Sequence, residues 1–227
     1  EAAGYRVHVL LPAADDPRPS RPLCCGRTFL SAGLVDEARA EAARTLAALR
    51  PFVERDIPVV GLEPPCLLTL RDEYLAMRLG DDAGRAATRA FLFEEFLAAE
   101  LAAGRATLAL GPTRWRTALL HGHCHQKAFD AVRPIQQLLA RVPGLEVRLV
   151  ESSCCGMAGG FGYDVKHQAV STRMAEAGLL PAVRGAGEDT VVLADGTSCR
   201  HQIADGARRE AFHVARLLDA ALGARGQ

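Results

Sequence analysis

Two Cys-Cys-Gly tripeptides, Cys24-Cys25-Gly26 and Cys154-Cys155-Gly156, are each followed about forty residues later by a single cysteine, Cys66 and Cys199. The seventh cysteine, Cys124, lies in the run His121-Gly122-His123-Cys124-His125. Thiolates are soft ligands for zinc and iron–sulfur clusters, and neutral imidazole can join or orient them. One such cysteine alone would read as a small core hydrophobe, but seven with this regularity would not. Disulfides fit poorly, because the count is odd and neighbouring Cα atoms are held closer than a bridge prefers. Structural zinc sites usually draw cysteines from Cys-x2-Cys knuckles, and the sequence has none. Vicinal cysteines are awkward around one tetrahedral ion, whereas the separate irons of a cluster can each take one sulfur. An iron–sulfur cluster therefore stands ahead of zinc, and zinc stays open.

The elements that must carry these residues are legible as alternating patterns. Strand-like runs cover Tyr5 to Leu11, Ile57 to Glu63, Thr117 to Gly122, Leu145 to Val150 and Thr190 to Ala194. Helical periodicity covers Leu34 to Phe52, Ala86 to Ala103, His125 to Val142, Asp164 to Val183 and Ile203 to Leu222. A further short strand is expected at Thr107 to Leu110, as an antiparallel excursion before Thr117. Strands alternating with helices predict an α/β fold with mainly parallel sheets. Cys124, Cys154, Cys155 and Cys199 each follow a strand, so they gather at the carboxyl edge where open α/β sheets place ligands. The glycines at 156, 159, 160 and 162 permit positive φ and let backbone N–H groups approach sulfur.

The halves also align with one another. Gly4-Tyr5-Arg6-Val7 matches Gly144-Leu145-Glu146-Val147, Cys24 matches Cys154, Val59 matches Val191 and Cys66 matches Cys199. This predicts two pseudo-repeated, Rossmann-like halves, residues 1–104 and 105–227, with the cysteine loops meeting near the cleft between them. The Pro- and Asp-rich stretch Pro12 to Pro22 reads as an exposed insertion in the first half. On the same alignment the counterpart of Cys124 falls before residue 1, so the first half is expected to lack its leading strand and most of a helix. Its cysteines, Cys24, Cys25 and Cys66, are either buried thiols or part of a site completed from elsewhere.

Composition narrows the function classes. The 27 basic and 27 acidic side chains cancel, which gives no global field for nucleic acid or an anionic membrane. The apolar run Phe91 to Ala103 is interrupted by Glu94, Glu95 and Glu100 and is too short to span a bilayer. Membrane contact is expected to be peripheral at most. His121 and His123 alternate onto one face with Cys124 opposing them, so His123 or His125 is expected to support the sulfurs, with His123 a further ligand candidate. Asp195 and Arg200 flank Cys199 as charge-balancing or capping groups. Arg71-Asp72-Glu73 reads as a solvated helix start, and Trp115 as a core or interface residue.

Five segments together carry a family resemblance that spans essentially the whole chain: Leu23 to Arg27, Leu62 to Cys66 with Arg71 to Tyr74, Leu120 to Lys127, Cys154 to Gly159, and Ala194 to Ile203. They resemble the cysteine-rich (CCG) domain pair found in heterodisulfide reductase and in the iron–sulfur subunits of glycolate oxidase and anaerobic glycerol-3-phosphate dehydrogenase. The wording is most similar to the C-terminal part of fused FAD/iron–sulfur D-2-hydroxyacid dehydrogenases acting on D-lactate or D-2-hydroxyglutarate. The resemblance implies an electron-transfer domain that is cytoplasmic or peripheral to the inner face of the membrane. Its cluster would be of the 4Fe-4S class, held by Cys124, Cys154, Cys155 and Cys199. It further implies an upstream or separate FAD domain, a ferredoxin-like iron–sulfur domain, and a quinone, cytochrome or other acceptor. Substrate oxidation would occur on the flavin, outside this chain. Glu63 and Gly196 stand where the heterodisulfide reductase pattern has the first cysteine of each Cys-x2-Cys, which counts against a five-cysteine noncubane cluster. Two other readings are a docking scaffold with structural zinc and a thiol–disulfide module at the vicinal pairs.

Overall fold

A computed structural model describes residues 1–223. The chain divides into two compact units, Glu1–Leu92 and Phe93–Gln227. The first contains α1 (Arg27–Ser31), α2 (Val35–Val53), β1 (Val59–Gly61), α3 (Pro64–Arg71), α4 (Glu73–Ala76), α5 (Asp81–Arg89) and β2 (Ala90–Leu92). In α2, Ala38, Ala42, Leu46, Leu49 and Val53 recur at three- and four-residue steps and are buried as one stripe. Asp36 and Glu37 in its first turn and Arg50 in its last complement the helix dipole. The two strands form a parallel pair with Val59 opposite Ala90.

The run Ala86 to Ala103, expected as one helix, is three elements: the end of α5, the strand β2, and α6 (Phe93–Ala102) in the second unit. An apolar run satisfies helix and buried strand alike, and here pairing with Val59–Gly61 decides. Tyr5 to Leu11 and Thr107 to Leu110, expected as strands, have no ladder among the described residues. Val7, Val9 and Leu11 are accordingly exposed. Alternating β-branched residues make a strand only where a neighbour accepts the hydrogen bonds.

The stretch Pro12 to Pro22 is anchored rather than loose. Arg44 on α2 donates to both Asp16 carboxylate oxygens (3.0 and 2.9 Å), to Glu41 (2.7 Å), and to the carbonyls of Arg18 and Arg21 (3.1 and 2.8 Å). Arg18 and Arg21 close the network from outside by pairing with Glu41. The Arg44 and Asp16 side chains are 5% and 2% exposed. Burying an arginine needs such complete hydrogen bonding, and removing one partner is costlier than the pair is favourable.

The second unit is built on a four-stranded, wholly parallel sheet in the order β4-β3-β5-β6. Its elements after α6 are β3 (Thr117–Leu120), α7 (Cys124–Ala128), α8 (Val132–Leu139), β4 (Glu146–Leu149), a 3-10 turn (Phe161–Tyr163), α9 (Gln168–Glu176), α10 (Leu179–Arg184), β5 (Thr190–Leu193), α11 (Thr197–Ala207), β6 (Ala211–Phe212) and α12 (Val214–Gly223). Thr117 pairs with Glu146 on one side and Thr190 on the other. All four residues of β5 are buried, as expected of a parallel strand covered on both faces. The chain leaves β3 toward one edge and returns to build the other, which creates a switch point at the carboxyl ends of β3 and β5.

Three long helical runs of the sequence are each divided. Asp130 (φ 54°) separates α7 from α8, Gly178 separates α9 from α10, and Arg208 (φ 52°) ends α11 before β6. These breaks lack proline, so periodicity alone carries through them. The α/β class with parallel sheets expected from the sequence is the class observed.

The Arg44 guanidinium beside Asp16 holds its carboxyl below the ordinary value of 3.8. A depressed carboxyl contributes stability above its unfolded value, and the contribution is lost as pH falls below 3.8 through the folded value. Asp16→Asn should therefore lower the thermal midpoint by several degrees at neutral pH. In thermal unfolding followed by circular dichroism, the gap between wild type and variant should narrow as pH is taken below 3.8.

Candidate metal centre

The turn after β3 presents Cys124 at the start of α7 through a capping box. His123 Nδ1 accepts from the His125 N–H (3.1 Å), and Gln126 Oε1 accepts from the His123 N–H (2.9 Å). The other end of Gln126 donates to Asp195 Oδ2 (2.7 Å) in the turn after β5. Asp195 Oδ1 accepts the Val214 N–H (3.0 Å), and the Asp195 side chain is essentially inaccessible. One buried amide–carboxylate contact thus fixes the turns that carry Cys124 and Cys199. Lys127 Nζ donates to the carbonyls of Ser152 and Ser153, tying the same helix to the turn that carries Cys154 and Cys155.

That third turn depends on glycine. Gly156 has φ 87°, its N–H points at Cys154 Sγ (3.3 Å), and a Cβ there would lie 2.1 Å from the Ser171 carbonyl oxygen of α9. The backbone can approach α9 this closely only without a side chain. Gly196, before Cys199, is constrained from another direction, since a Cβ would meet His123 Cδ2 at 2.4 Å.

The four sulfurs expected to act together form one contiguous line. Cys155 Sγ lies 3.2 Å from Cys199 Sγ, and the Cys154 thiol is electrostatically coupled to Cys124 and Cys155. Cys155 and Cys199 are buried in an apolar cluster with Val150, Met157, Val192, Ala194 and Ile203, whereas Cys124 and Cys154 are partly accessible. Hydrogen bonds from Cys124 and Cys155, helped by the N–H groups of Gly156 and Ala158, draw the Cys154 thiol far below its ordinary range against burial. The Cys155 bond, with help from His121 and opposed by burial, lowers Cys199 to about 6. Cys124 and Cys155 are pushed up, chiefly because each shares a proton with Cys154. A metal binding here would displace the thiol protons into solvent, since it is the thiolate that ligates.

Histidines border both ends of the line. Cys124 Sγ lies 3.8 Å from His123 Nδ1 and 3.7 Å from His125 Nδ1, and the two rings stack. His121, Cys155 and Cys199 bring their donor atoms within 4.8 Å of one another. His121 is 1% exposed; its Nδ1 contacts Ser152 Oγ (3.1 Å), and its Nε2 has no well-directed hydrogen-bond partner. A buried imidazole nitrogen left open beside two thiols suits a metal-centred site. In the sequence His121 shares a face with His123, while His123 or His125 is the expected supporting donor. Its sign is the strict alternation from Leu120, which turns residue 121 toward the same edge as the sulfurs. Gln126 carries no sequence signal, since a glutamine that ties two turns looks like any helical glutamine.

The first unit repeats the glycine device by itself. Gly26 has φ 80°, its N–H points at Cys24 Sγ (3.4 Å), and a Cβ would lie 2.7 Å from the Ala38 carbonyl oxygen of α2. Thr45 Oγ1 donates to the Cys24 carbonyl (2.9 Å). A hydrogen bond from Cys66 lowers the Cys25 thiol to about 7, and the same bond with burial raises Cys66. Cys25 and Cys66 therefore meet as a thiol pair, beside the buried ring of Tyr74.

Fold and thiol geometry together define a parallel α/β domain whose switch point carries a group of cysteines and histidines able to hold a metal. Residues 118–204 match the family of the cysteine-rich (CCG) domain. The chain is 30% identical over 204 residues to one of the subunits of anaerobic glycerol-3-phosphate dehydrogenase from Escherichia coli K12, covering 89% of this chain and 50% of that protein. It is 28% identical over 173 residues to D-2-hydroxyglutarate dehydrogenase of the same organism, with 75% of this chain matched to 16% of the relative. The D-2-hydroxyglutarate dehydrogenase of Pseudomonas putida gives 28% identity over 174 residues, 76% of this chain and 16% of the relative. The chain thus spans half or less of these curated relatives' lengths, and they are larger dehydrogenases or their subunits.

Left-handed backbone at a non-glycine residue costs about 1–2 kcal/mol, which is the whole expected loss for Gly159→Ala, where φ is 68° and a Cβ meets nothing within 4 Å. Gly156→Ala adds a collision with helix backbone and should lose clearly more. Denaturant unfolding of the two variants checks the order.

Proposed function

We propose that the second unit holds an iron–sulfur cluster of the four-iron class through Cys124, Cys154, Cys155 and Cys199, and that the domain relays electrons within a flavin-linked dehydrogenase. The observation that carries this reading is the placement of four mutually coupled thiols in the turns after β3, β4 and β5, two buried and two partly accessible. When bound, such a cluster accepts and passes on single electrons, with a potential tuned by hydrogen bonds to its sulfurs and by solvent exclusion. The residues of the chain supply that tuning. The N–H groups of Gly156 and Ala158 favour negative charge on Cys154, and the apolar cluster around Cys155 and Cys199 excludes water from the inner side. Cys124 and Cys154 mark the accessible side, where a redox partner can approach.

Electrons would come from a flavin domain, upstream or separate, through a ferredoxin-like iron–sulfur domain, and leave to a quinone, cytochrome or other acceptor. The relatives act on glycerol 3-phosphate or D-2-hydroxyglutarate by name, so a small hydroxylated acid or phosphate is the proposed substrate of the whole assembly, oxidised outside this chain. The proposed setting is cytoplasmic or peripheral to the inner membrane face. Among the described residues no helix is long and apolar enough to cross a membrane.

Anaerobic reconstitution with ferrous iron and sulfide should give a brown protein whose broad visible absorption bleaches on reduction. Cys154→Ser and Cys155→Ser should lose most of the bound iron and acid-labile sulfide, and Cys24→Ser should retain most of both. Equal loss from all three would instead make the two cysteine sets interdependent. Stoichiometric zinc without colour would replace the electron-transfer reading with a structural one.

A further inference from the structure

Away from the cysteines, Glu94 of α6, Asp195 after β5 and His213 just before α12 bring one donor atom each to within 4.8 Å of one another. Glu94 and Asp195 are each 1% exposed. Asp195 is satisfied by neutral donors, the Gln126 amide and the Val214 N–H. Neither carboxylate oxygen of Glu94 has a hydrogen-bond partner. Among the described residues, the basic side chain in ion-pair range of either acid is His213, with Nδ1 3.4 Å from Asp195 Oδ1 and 3.9 Å from Glu94 Oε1. Nδ1 accepts the Ala215 N–H (3.0 Å), so its lone pair is already engaged by a backbone donor. Arg200 lies close in sequence, but it donates to the main-chain carbonyls of Ala194 and Asp195.

This arrangement is unfavourable without a positive charge. A buried ionised carboxylate with no partner is strongly penalised, and a second carboxylate beside it adds repulsion. Burial, and then the charge of Asp195, push the Glu94 carboxyl well above its ordinary range. A proton on Glu94 would remove the charge yet leave its hydroxyl without an acceptor, since both oxygens lack a side-chain partner at hydrogen-bond distance. A divalent cation resolves both difficulties, because it gives the two carboxylates a common positive partner and can take the imidazole nitrogen as a further ligand.

We infer that Glu94, Asp195 and His213 form a second metal site in this domain, separate from the cysteines, for a divalent cation of the manganese–zinc class. Two carboxylates and an imidazole are hard to borderline donors, unlike the soft thiolates of the cysteine line. Small rotations suffice to bring donors at this spacing to the ligand distances of about 2.0–2.2 Å that such ions take. Coordination takes over the His213 lone pair now given to Ala215, and water can complete the shell. The site would join α6, the Asp195 turn and the start of α12 at one ion, and through Gln126 it would brace the turn that carries Cys124.

Manganese(II) is the chosen probe, because it prefers oxygen and nitrogen and avoids thiolate. Titration of reduced, cluster-free protein with manganese(II) chloride, followed by loss of the free-ion EPR signal, should show one bound ion per chain and a raised thermal midpoint. Glu94→Gln and His213→Gln should each lose that ion and the midpoint shift. Metal-free Glu94→Gln should melt no lower than metal-free wild type, since it removes an unpartnered buried charge. Cobalt(II) at the same site should give weak visible bands without sulfur charge-transfer absorption, again lost in Glu94→Gln. Absence of manganese and cobalt binding of this kind in wild type would overturn the inference. Equal binding by wild type and both variants would overturn it as well. Iron and sulfide content is read separately, so failure here leaves the electron-transfer reading standing.

Discussion

The close approach of the Gly156 backbone to α9 is the constraint on which the site depends. A glycine with positive φ, pressed to within reach of the Ser171 carbonyl, leaves the preceding vicinal cysteines little choice of direction. One of them, Cys155, enters the apolar cluster under the sheet edge, and the other, Cys154, stays at the accessible side with the Gly156 N–H behind it. Two adjacent side chains that must diverge can then each meet a different neighbour, Cys124 for one and Cys199 for the other. The same device at Gly26, pressed against Ala38 of α2, shows that it belongs to the tripeptide itself.

Once the tripeptide is set, the other turns must be brought to it, and this is done by polar contacts rather than by more apolar packing. Gln126 to Asp195 joins the turns after β3 and β5, while Lys127 to the carbonyls of Ser152 and Ser153 joins α7 to the turn after β4. Buried polar contacts are directional and costly to leave half made, so they select one relative placement of the three turns. The consequence is low tolerance: each of these residues has little freedom to change alone. Apolar packing by Val150, Met157, Val192 and Ile203 then keeps water from the inner sulfurs.

Much of this was readable in the chain, for identifiable reasons. Cysteines that follow strands must converge if the strands are parallel, and β3, β4 and β5 are parallel. The stripe on α2 and the fully buried β5 are likewise direct consequences of period and burial. What failed was boundary and context. Residues 86–103 kept one apolar rhythm through a helix, a strand and another helix, because β2 is only three apolar residues long. Tyr5 to Leu11 had strand composition but joins no sheet among the described residues. The buried network of Arg44, Asp16 and Glu41 was hidden because a Pro- and Asp-rich loop looks solvated until the arginine that anchors it is located in space. The group Glu94, Asp195 and His213 was invisible for the same reason, as its members are far apart in sequence and each looks ordinary where it stands.

The departure at residue 196 gains a physical basis from the structure. A chain that used Cys-x2-Cys here would need a side chain at 196, yet that space is occupied by the His123 ring, which would lie 2.4 Å from a Cβ. His123 is itself held by the capping interaction with the His125 N–H and by Gln126, so the ring cannot swing aside without opening the turn that presents Cys124. Gly196 and His123 are therefore one choice rather than two. The sequence exchanges a fifth sulfur for an imidazole packed beside Cys124, and the four-thiol line with bordering histidines is the arrangement this choice leaves available.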